Sequence, residues 1–177
     1  MLSQSEKSQV LAILFAAREP VMLSELTKVF DDEPPSELKQ SLEQLVKEFN
    51  QTQEAVEVRP VAGGFRMTTR PEHHEGVRAY LKTLPSARLS QAALETLAVI
   101  AYRQPVTLPE IMEIRGVKNT TTIRTLLEKK LIETRGRRKV VGRPIMYGTS
   151  RDFLLQFGLQ DLADLPTLEE FEEILTS

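Results

Sequence analysis

The chain has 177 residues, 41% of them hydrophobic and 27% charged, with a net charge of -2 and no cysteine. That is the composition of a globular protein of one or two compact units, not of a disordered tail or a polycation. Disulfides and thiolate metal sites are excluded, and a reducing compartment, the cytoplasm by default, is compatible.

The small net charge hides an asymmetry. Residues 1–84 carry 10 Lys+Arg and 13 Asp+Glu, residues 85–157 carry 13 and 6, and residues 158–177 carry 0 and 6. A basic middle followed by an acidic tail points to an anionic partner for the former, or to the tail folding back on it.

In chain order, the first apolar run, Val10 to Ala17, leads directly into Arg18 and Glu19. It is too short and too charged at its flanks to span a membrane, and the basic start of a secretory signal is missing. It reads as a core helix over 6–17, followed by a short helix over 24–30 and a third over 36–49. Two strands, EVRPV and FRMTT, flank Gly63-Gly64, which reads as a tight turn needing positive φ. A closing helix over 73–81 and a joint over 83–88, containing Pro85, complete a first domain, 1–84.

A second copy of this unit follows. Shifted by 85 positions, AAREPVMLSEL (16–26) lies over AYRQPVTLPEI (101–111) with six of eleven residues identical, the signature of a repeated supersecondary unit. Ser90 caps a helix whose apolar stripe is Leu94, Leu97, Ala98, Ile100 and Ala101, with Leu89 and Leu94 as a hydrophobic staple. Pro105 ends it. Thr107 and Glu110 have capping-box spacing, Ile111 and Ile114 are expected to face inward, and Gly116 suits the left-handed stop. Asn119 is the expected cap of a third helix carrying Ile123, Leu126, Leu127 and Leu131 on one side. Two short strands, 131–134 and 145–147, then enclose the basic run RGRRKVVGRP. The fold class is therefore α+β, mostly helical: two tandem winged helix-turn-helix domains of three helices plus a β-hairpin each. The second domain spans 85–157, and 158–177 is an acidic C-terminal tail with a short helix capped by Thr167.

The chemistry points away from catalysis. The two histidines, His73 and His74, are neighbours on a helix, about 100° apart, and cannot share a metal as an i, i+4 pair could. No phosphate-cradling glycine loop is present, so no enzyme activity, metal or cofactor is expected. The tail glutamates 169, 170, 172 and 173 read as a solvated helix face.

The cations of the second domain admit two readings. Lys118, Asn119, Thr120, Thr121 and Arg124 open the third helix, and Arg135, Arg137, Arg138, Lys139 and Arg143 flank it on the hairpin, all suited to phosphate contact. The same cations equally serve a soluble hairpin tip beside a protein interface. The first copy lacks such equipment, which weighs against a repressor-like regulator and toward protein binding, with non-specific DNA contact as an added property. Tyr102 and Arg103 before Pro105, together with Arg115, form an aromatic and cationic mixture of the type found at interface anchors.

The stretch ALETLAVIAYRQPVTLPEIMEIRGV (93–117), followed by IRTLLEKKLI, GRPIMYGTSRDFLLQFGL and DLADLP, resembles the bacterial segregation and condensation protein B family. The resemblance covers essentially the whole chain and is strongest from Leu89 to Pro166. It implies a non-catalytic tandem winged-helix subunit that homodimerises mainly through its first domains. Its second domains are expected to bind the kleisin subunit, segregation and condensation protein A, and through it the structural-maintenance-of-chromosomes ATPase. Tyr102, Arg103, Arg115 and Arg124 are the candidate kleisin contacts, and Lys118 with the five hairpin cations the candidate phosphate contacts. Phe30 and Phe65 are the dimer-interface candidates. The alternative is a winged-helix transcription regulator.

Overall fold

A computed structural model describes residues 2–31, 33–81, 89–116 and 120–167 of the chain, which divides into two units, Met1–Ser86 and Ala87–Ser177. In the first unit α1 (Gln4–Ala16) starts on a capping box, with Ser3 N–H donating to the Glu6 carboxylate at 2.6 Å and Glu6 N–H to Ser3 Oγ at 3.3 Å. Those mutual bonds satisfy two of the donors that a helix start leaves unpaired, and they place the start two residues before the expected one. α2 (Leu23–Leu26) is one turn only, closed by the Glu25 carboxylate accepting from Met22 N–H at 2.7 Å. The chain then continues in turns to Phe30, where the sequence pattern predicts helix. α3 (Pro35–Thr52) begins with proline, whose missing N–H costs nothing there, and buries Leu38, Leu42 and Leu45.

The hairpin β1 (Val56–Val61) and β2 (Gly64–Thr69) pairs antiparallel from Val56↔Thr69 to Val61↔Gly64. The positive-φ turn residues are Ala62 at 50° and Gly63 at 76°, so the tight turn sits one residue earlier than expected. Gly64 is glycine for another reason: a Cβ there would lie 2.9 Å from the Val21 carbonyl oxygen. That oxygen is close because Val21 exchanges backbone bonds with Phe65, at 2.8 Å and 2.9 Å. On the other strand the Asn50 side chain clamps α3 to β1, accepting from Val58 N–H at 2.8 Å and donating to the Val58 carbonyl at 2.9 Å. Val10, Leu14, Leu26, Phe30, Leu42 and Val58 fill the core between these elements. After a 3-10 turn at Pro71–His73, α4 (His74–Leu81) contributes no buried residue. The expected joint over 83–88 lies outside the described residues.

In the second unit α5 (Gln91–Arg103) is capped by Ser90, whose Oγ accepts from Ala93 N–H at 3.3 Å. Its buried face is Ala93, Thr96, Leu97, Ile100 and Ala101. Leu94, expected in the core and in a staple, is 42% exposed, because the inward stripe starts one residue earlier and passes through a threonine. β3 (Val106–Thr107) leads into α6 (Leu108–Arg115), which ends on Gly116 with φ 66°. Only Ile111 of this helix is buried; Ile114, expected inward, is 53% exposed because the helix is too short to turn two isoleucines three apart fully into one core. α7 (Thr121–Glu128) buries Thr122, Ile123 and Leu126, leaving Leu127 at the margin, 37% exposed. The expected cap, Asn119, lies outside the described residues, and Thr120 makes no side-chain capping bond.

β4 (Ile132–Arg137) and β5 (Ile145–Thr149) form the hairpin, and β3 completes a sheet ordered β3-β5-β4. The sequence reading did not anticipate the third strand. Val106 pairs with Tyr147 as Val21 pairs with Phe65, so the repeated Pro-Val dipeptide, 85 residues apart, performs the same tie in both units. α8 (Arg151–Phe157) follows, capped by Ser150 and ended by Gly158 at φ 67°. Beyond it, Leu159 and Leu165 pack against the second core, with a 3-10 turn at Leu162–Asp164 between them. Residues 159–167, from the segment read as an acidic tail, are thus joined to this unit, while the tail helix expected after Thr167 lies outside the described residues.

Crowding at Gly64 yields a stability prediction. Gly64→Ala is expected to destabilise the protein by about 1–3 kcal/mol, since a methyl there meets backbone that cannot swing aside. Gly76→Ala, in α4 with nothing within 4 Å, is expected to be neutral or to stabilise by up to about 1 kcal/mol. Urea denaturation midpoints of the two variants check the contrast.

Candidate protein-binding surface of the second unit

The basic hairpin is held by one carboxylate at Arg138, where its loop leaves the strand. Thr107 N–H and Oγ1–H both donate to Glu110 Oε2 at 2.7 Å, closing the capping box of α6. The same oxygen accepts from Arg138 at 3.2 Å, and Arg138 also donates to the Pro105 carbonyl at 3.0 Å. The bonds from Thr107 backbone and hydroxyl, with the Arg138 charge contributing less, hold the Glu110 carboxyl below its ordinary range. The α6 start and the beginning of the hairpin loop are therefore one hydrogen-bonded assembly.

Before Arg138 the hairpin is irregular. Its ladder shifts register between Thr134 and Arg137, with Gly136 at φ 88° in the bulge. The tip is a turn closed by Arg143 N–H donating to the Val140 carbonyl at 2.9 Å. Arg135 and Arg137 lie on β4, so part of the run expected to connect the strands is itself strand. Arg135 pairs with Glu133 at 3.1 Å, and Arg137 donates to the Arg143 carbonyl at 3.0 Å. Lys139 and Arg143 are exposed, as is the tip, with Val140 52% and Val141 fully exposed. These two valines are apolar side chains that the sequence reading passed over, since a cation-rich run draws attention to its charges; their position between cations in a short hairpin connection was the available signal.

The four candidate kleisin contacts separate in space and in role. Tyr102 is 40% exposed and donates its hydroxyl to the Pro166 carbonyl at 2.7 Å. Arg103 beside it is exposed. Arg124 lies open on α7, paired with Glu128 at 2.8 Å. Arg115 is different: its side chain is only 10% exposed, bonding Thr96 Oγ1 at 2.7 Å and the Glu95 carboxylate at 2.5 Å. Thr96 in turn lies 3.3 Å from the Thr122 hydroxyl, so Arg115 knits α5, α6 and α7 from within. It is a structural arginine rather than an open contact, because a buried threonine hydroxyl on α5 offers it a partner. Lys118 lies outside the described residues.

In the first unit, Phe30 is 6% exposed and spent in the core, and Phe65 packs against the same core from β2. The sequence offers both as dimer-interface candidates and equally as core residues; the turn at Phe30 and the pairing of Phe65 with Val21 direct them inward. Phe15, 80% exposed on α1, is an open aromatic side chain of this unit, as is Tyr80 on α4. The neighbours of Phe15 in sequence, all apolar from Leu11 to Ala17, hid which side of the helix it occupies.

Taken together, the described residues define a two-unit α+β protein whose second unit presents a cationic hairpin with an apolar tip and open apolar helix side chains, a surface chemically suited to binding. A family model for segregation and condensation complex subunit ScpB matches residues 8–168, and the chain belongs to that family. Segregation and condensation protein B of Alkaliphilus metalliredigens is 42% identical over 167 residues, covering 94% of this chain and 87% of that protein. The crystal structure of ScpB from Mycobacterium tuberculosis is 32% identical, covering 90% of this chain and 99% of that one, with a TM-score of 0.41. A further solved chain, described as a dimer of ScpB N-terminal domain complexed with ScpA peptide, is 28% identical over 49% of this chain and 95% of that one, with a TM-score of 0.37.

Two predictions follow from the bonding of these side chains. Arg115→Ala is expected to cost about 1–2 kcal/mol of stability through the buried Thr96 bond, whereas Arg103→Ala leaves stability unchanged; thermal or urea unfolding separates them. Glu110, with its pKa depressed from 4.5 in the folded chain, contributes stability above that value that is lost as pH falls through the lower folded one. Glu110→Gln is therefore expected to flatten the acid limb of the stability profile below about pH 4.5, read by unfolding at a series of pH values.

Proposed function

We infer that both units are winged helix-turn-helix modules and that the chain is a non-catalytic, cytoplasmic subunit of the bacterial condensin-like complex. It binds the kleisin, segregation and condensation protein A, and through it the structural-maintenance-of-chromosomes ATPase, in chromosome condensation and segregation at cell division. The observation that carries this reading is the family match over residues 8–168. Among the described residues no helix is long and apolar enough to cross a membrane and no three metal-ligating side chains converge, which is compatible with this role and does not decide it.

The kleisin contact is assigned to the second unit, 85–157, and homodimerisation to the first, 1–84. Support for the former is the cationic hairpin beside Tyr102 and Arg103, a surface able to receive an acidic, amphipathic helix. For the latter it is the open Phe15, a large apolar side chain of the sort that association covers. Direct phosphate contact by Lys139 and Arg143 is a secondary property of the same hairpin.

Isothermal titration of the full chain with the middle region of its cognate kleisin tests the reading. Heat of binding and co-elution at micromolar concentration are expected, and a Tyr102→Ala, Arg103→Glu double variant is expected to weaken binding by about tenfold or more. The absence of both heat and co-elution would defeat it. Tight, selective binding to one short operator would favour the transcription-regulator alternative, whereas simple phosphate neutralisation gives log K falling with log salt at about -0.9 per contact for any duplex sequence.

A further inference from the structure

Tyr102 fixes where the acidic segment leaves the second unit. Its hydroxyl holds the Pro166 carbonyl at 2.7 Å, and Leu165 packs against the core, so residues 165–166 are fastened beside the C-terminal end of α5. Three residues along from Tyr102, the Pro105 carbonyl accepts from Arg138, at the start of the loop of the basic hairpin, 3.0 Å away. Three residues span at most about 11 Å between Cα atoms. Residues 168–177, LEEFEEILTS, continue from this point, and ten residues of extended chain reach up to about 36 Å. The hairpin is well within their range.

The chemistry of the two is complementary. The segment carries four glutamates and no cation, with Leu168, Phe171, Ile174 and Leu175 among them. The hairpin offers the exposed cations Lys139 and Arg143 around two exposed valines, and Arg103 stands beside Tyr102. Arg135 and Arg138 already have Glu133 and Glu110, but among the described residues no carboxylate lies within ion-pair distance of Lys139, Arg143 or Arg103.

We propose that residues 168–177 dock on the basic hairpin of their own chain, their glutamates against Lys139, Arg143 and Arg103 and Phe171 against the Val140–Val141 tip. Docked there, the segment shields the cationic face, and any other anionic ligand must displace it. The docking is independent of the partner assigned above; only its consequence for kleisin binding rests on that reading.

The native chain has no cysteine, so a Val141→Cys, Phe171→Cys double variant has a single possible intrachain disulfide. On mild oxidation we expect that crosslink to form within one chain at least about tenfold faster than in a Gln91→Cys, Phe171→Cys control at the far end of α5. We expect it to slow at about 1 M salt, where the Debye length is about 3 Å. Replacing glutamates 169, 170, 172 and 173 with glutamine should slow it likewise. The same replacement should tighten binding of a fluorescent DNA duplex of about 20 base pairs, used as a polyanion probe, by about tenfold. Crosslinking no faster than the control, crosslinks only between chains, or unchanged probe affinity would each overturn the proposal. Crosslinking as expected in a chain that fails to bind the kleisin would leave the docking intact and remove only the proposed partner.

Discussion

One backbone tie organises each unit. The valine after the repeated proline, Val21 or Val106, leaves the first helix and pairs with the second strand of the hairpin, at Phe65 or Tyr147. A two-stranded hairpin is marginal by itself in water, and this tie turns it into a covered structure facing the helices. It brings the Val21 carbonyl so near the strand that Gly64 has no room for a side chain. Gly148, next to Tyr147 in the second unit, is crowded instead by side chains, a Cβ there lying 2.7 Å from Gln104 Oε1.

The residue after the tie starts the next helix in both units, Met22 with Glu25 and Thr107 with Glu110. In the second unit the tie does more, because Thr107 adds a hydroxyl bond and the carboxylate also receives an arginine. Thr107 contributes to the sheet, starts the helix and engages Glu110, which in turn receives Arg138 from the hairpin. A charge that would otherwise swing freely is held where the hairpin loop begins. The cations left open are therefore those toward the tip and beside Tyr102, which is where a partner of opposite charge, from another chain or from residues 168–177, meets least competition. Exposed ion pairs are individually weak, so binding there depends on the apolar tip and on the surrounding hydrogen bonds as well as on charge.

The repeat, the order of helices and hairpin, the capping residues Ser90 and Thr107 and the Gly116 stop could all be read along the chain, since each depends on neighbours within a turn or two. The hairpin cations were legible as a group for the same reason. Their separate fates were not: Arg135 is paired by Glu133 on its own strand and Arg138 by Glu110 on α6, while Lys139 and Arg143 stay open. Arg115 was misread as surface because its partner, Thr96, lies on a different helix. Leu94, Ile114 and Leu127 were misread as core because an apolar side chain on a short helix satisfies more than one helical stripe. In α5 the true stripe runs through Thr96, a polar residue whose burial is made tolerable by bonds to the Ala92 carbonyl, Thr122 and Arg115.

By itself the sequence determined the local structure: caps, turns, periodicity, the duplication and the charge contrast between the basic hairpin region and the acidic residues that follow it. These are set by bonds and packing between residues close in the chain, or by composition alone. Tertiary structure alone decided which apolar side chains face the core, which arginines are consumed internally, and that the backbone leading to the acidic residues is fastened at the C-terminal end of α5. Each of those outcomes depends on a partner tens of residues away, Pro166 for Tyr102 or Glu110 for Arg138, whose proximity is created only when helices, hairpin and connecting strand close around one core.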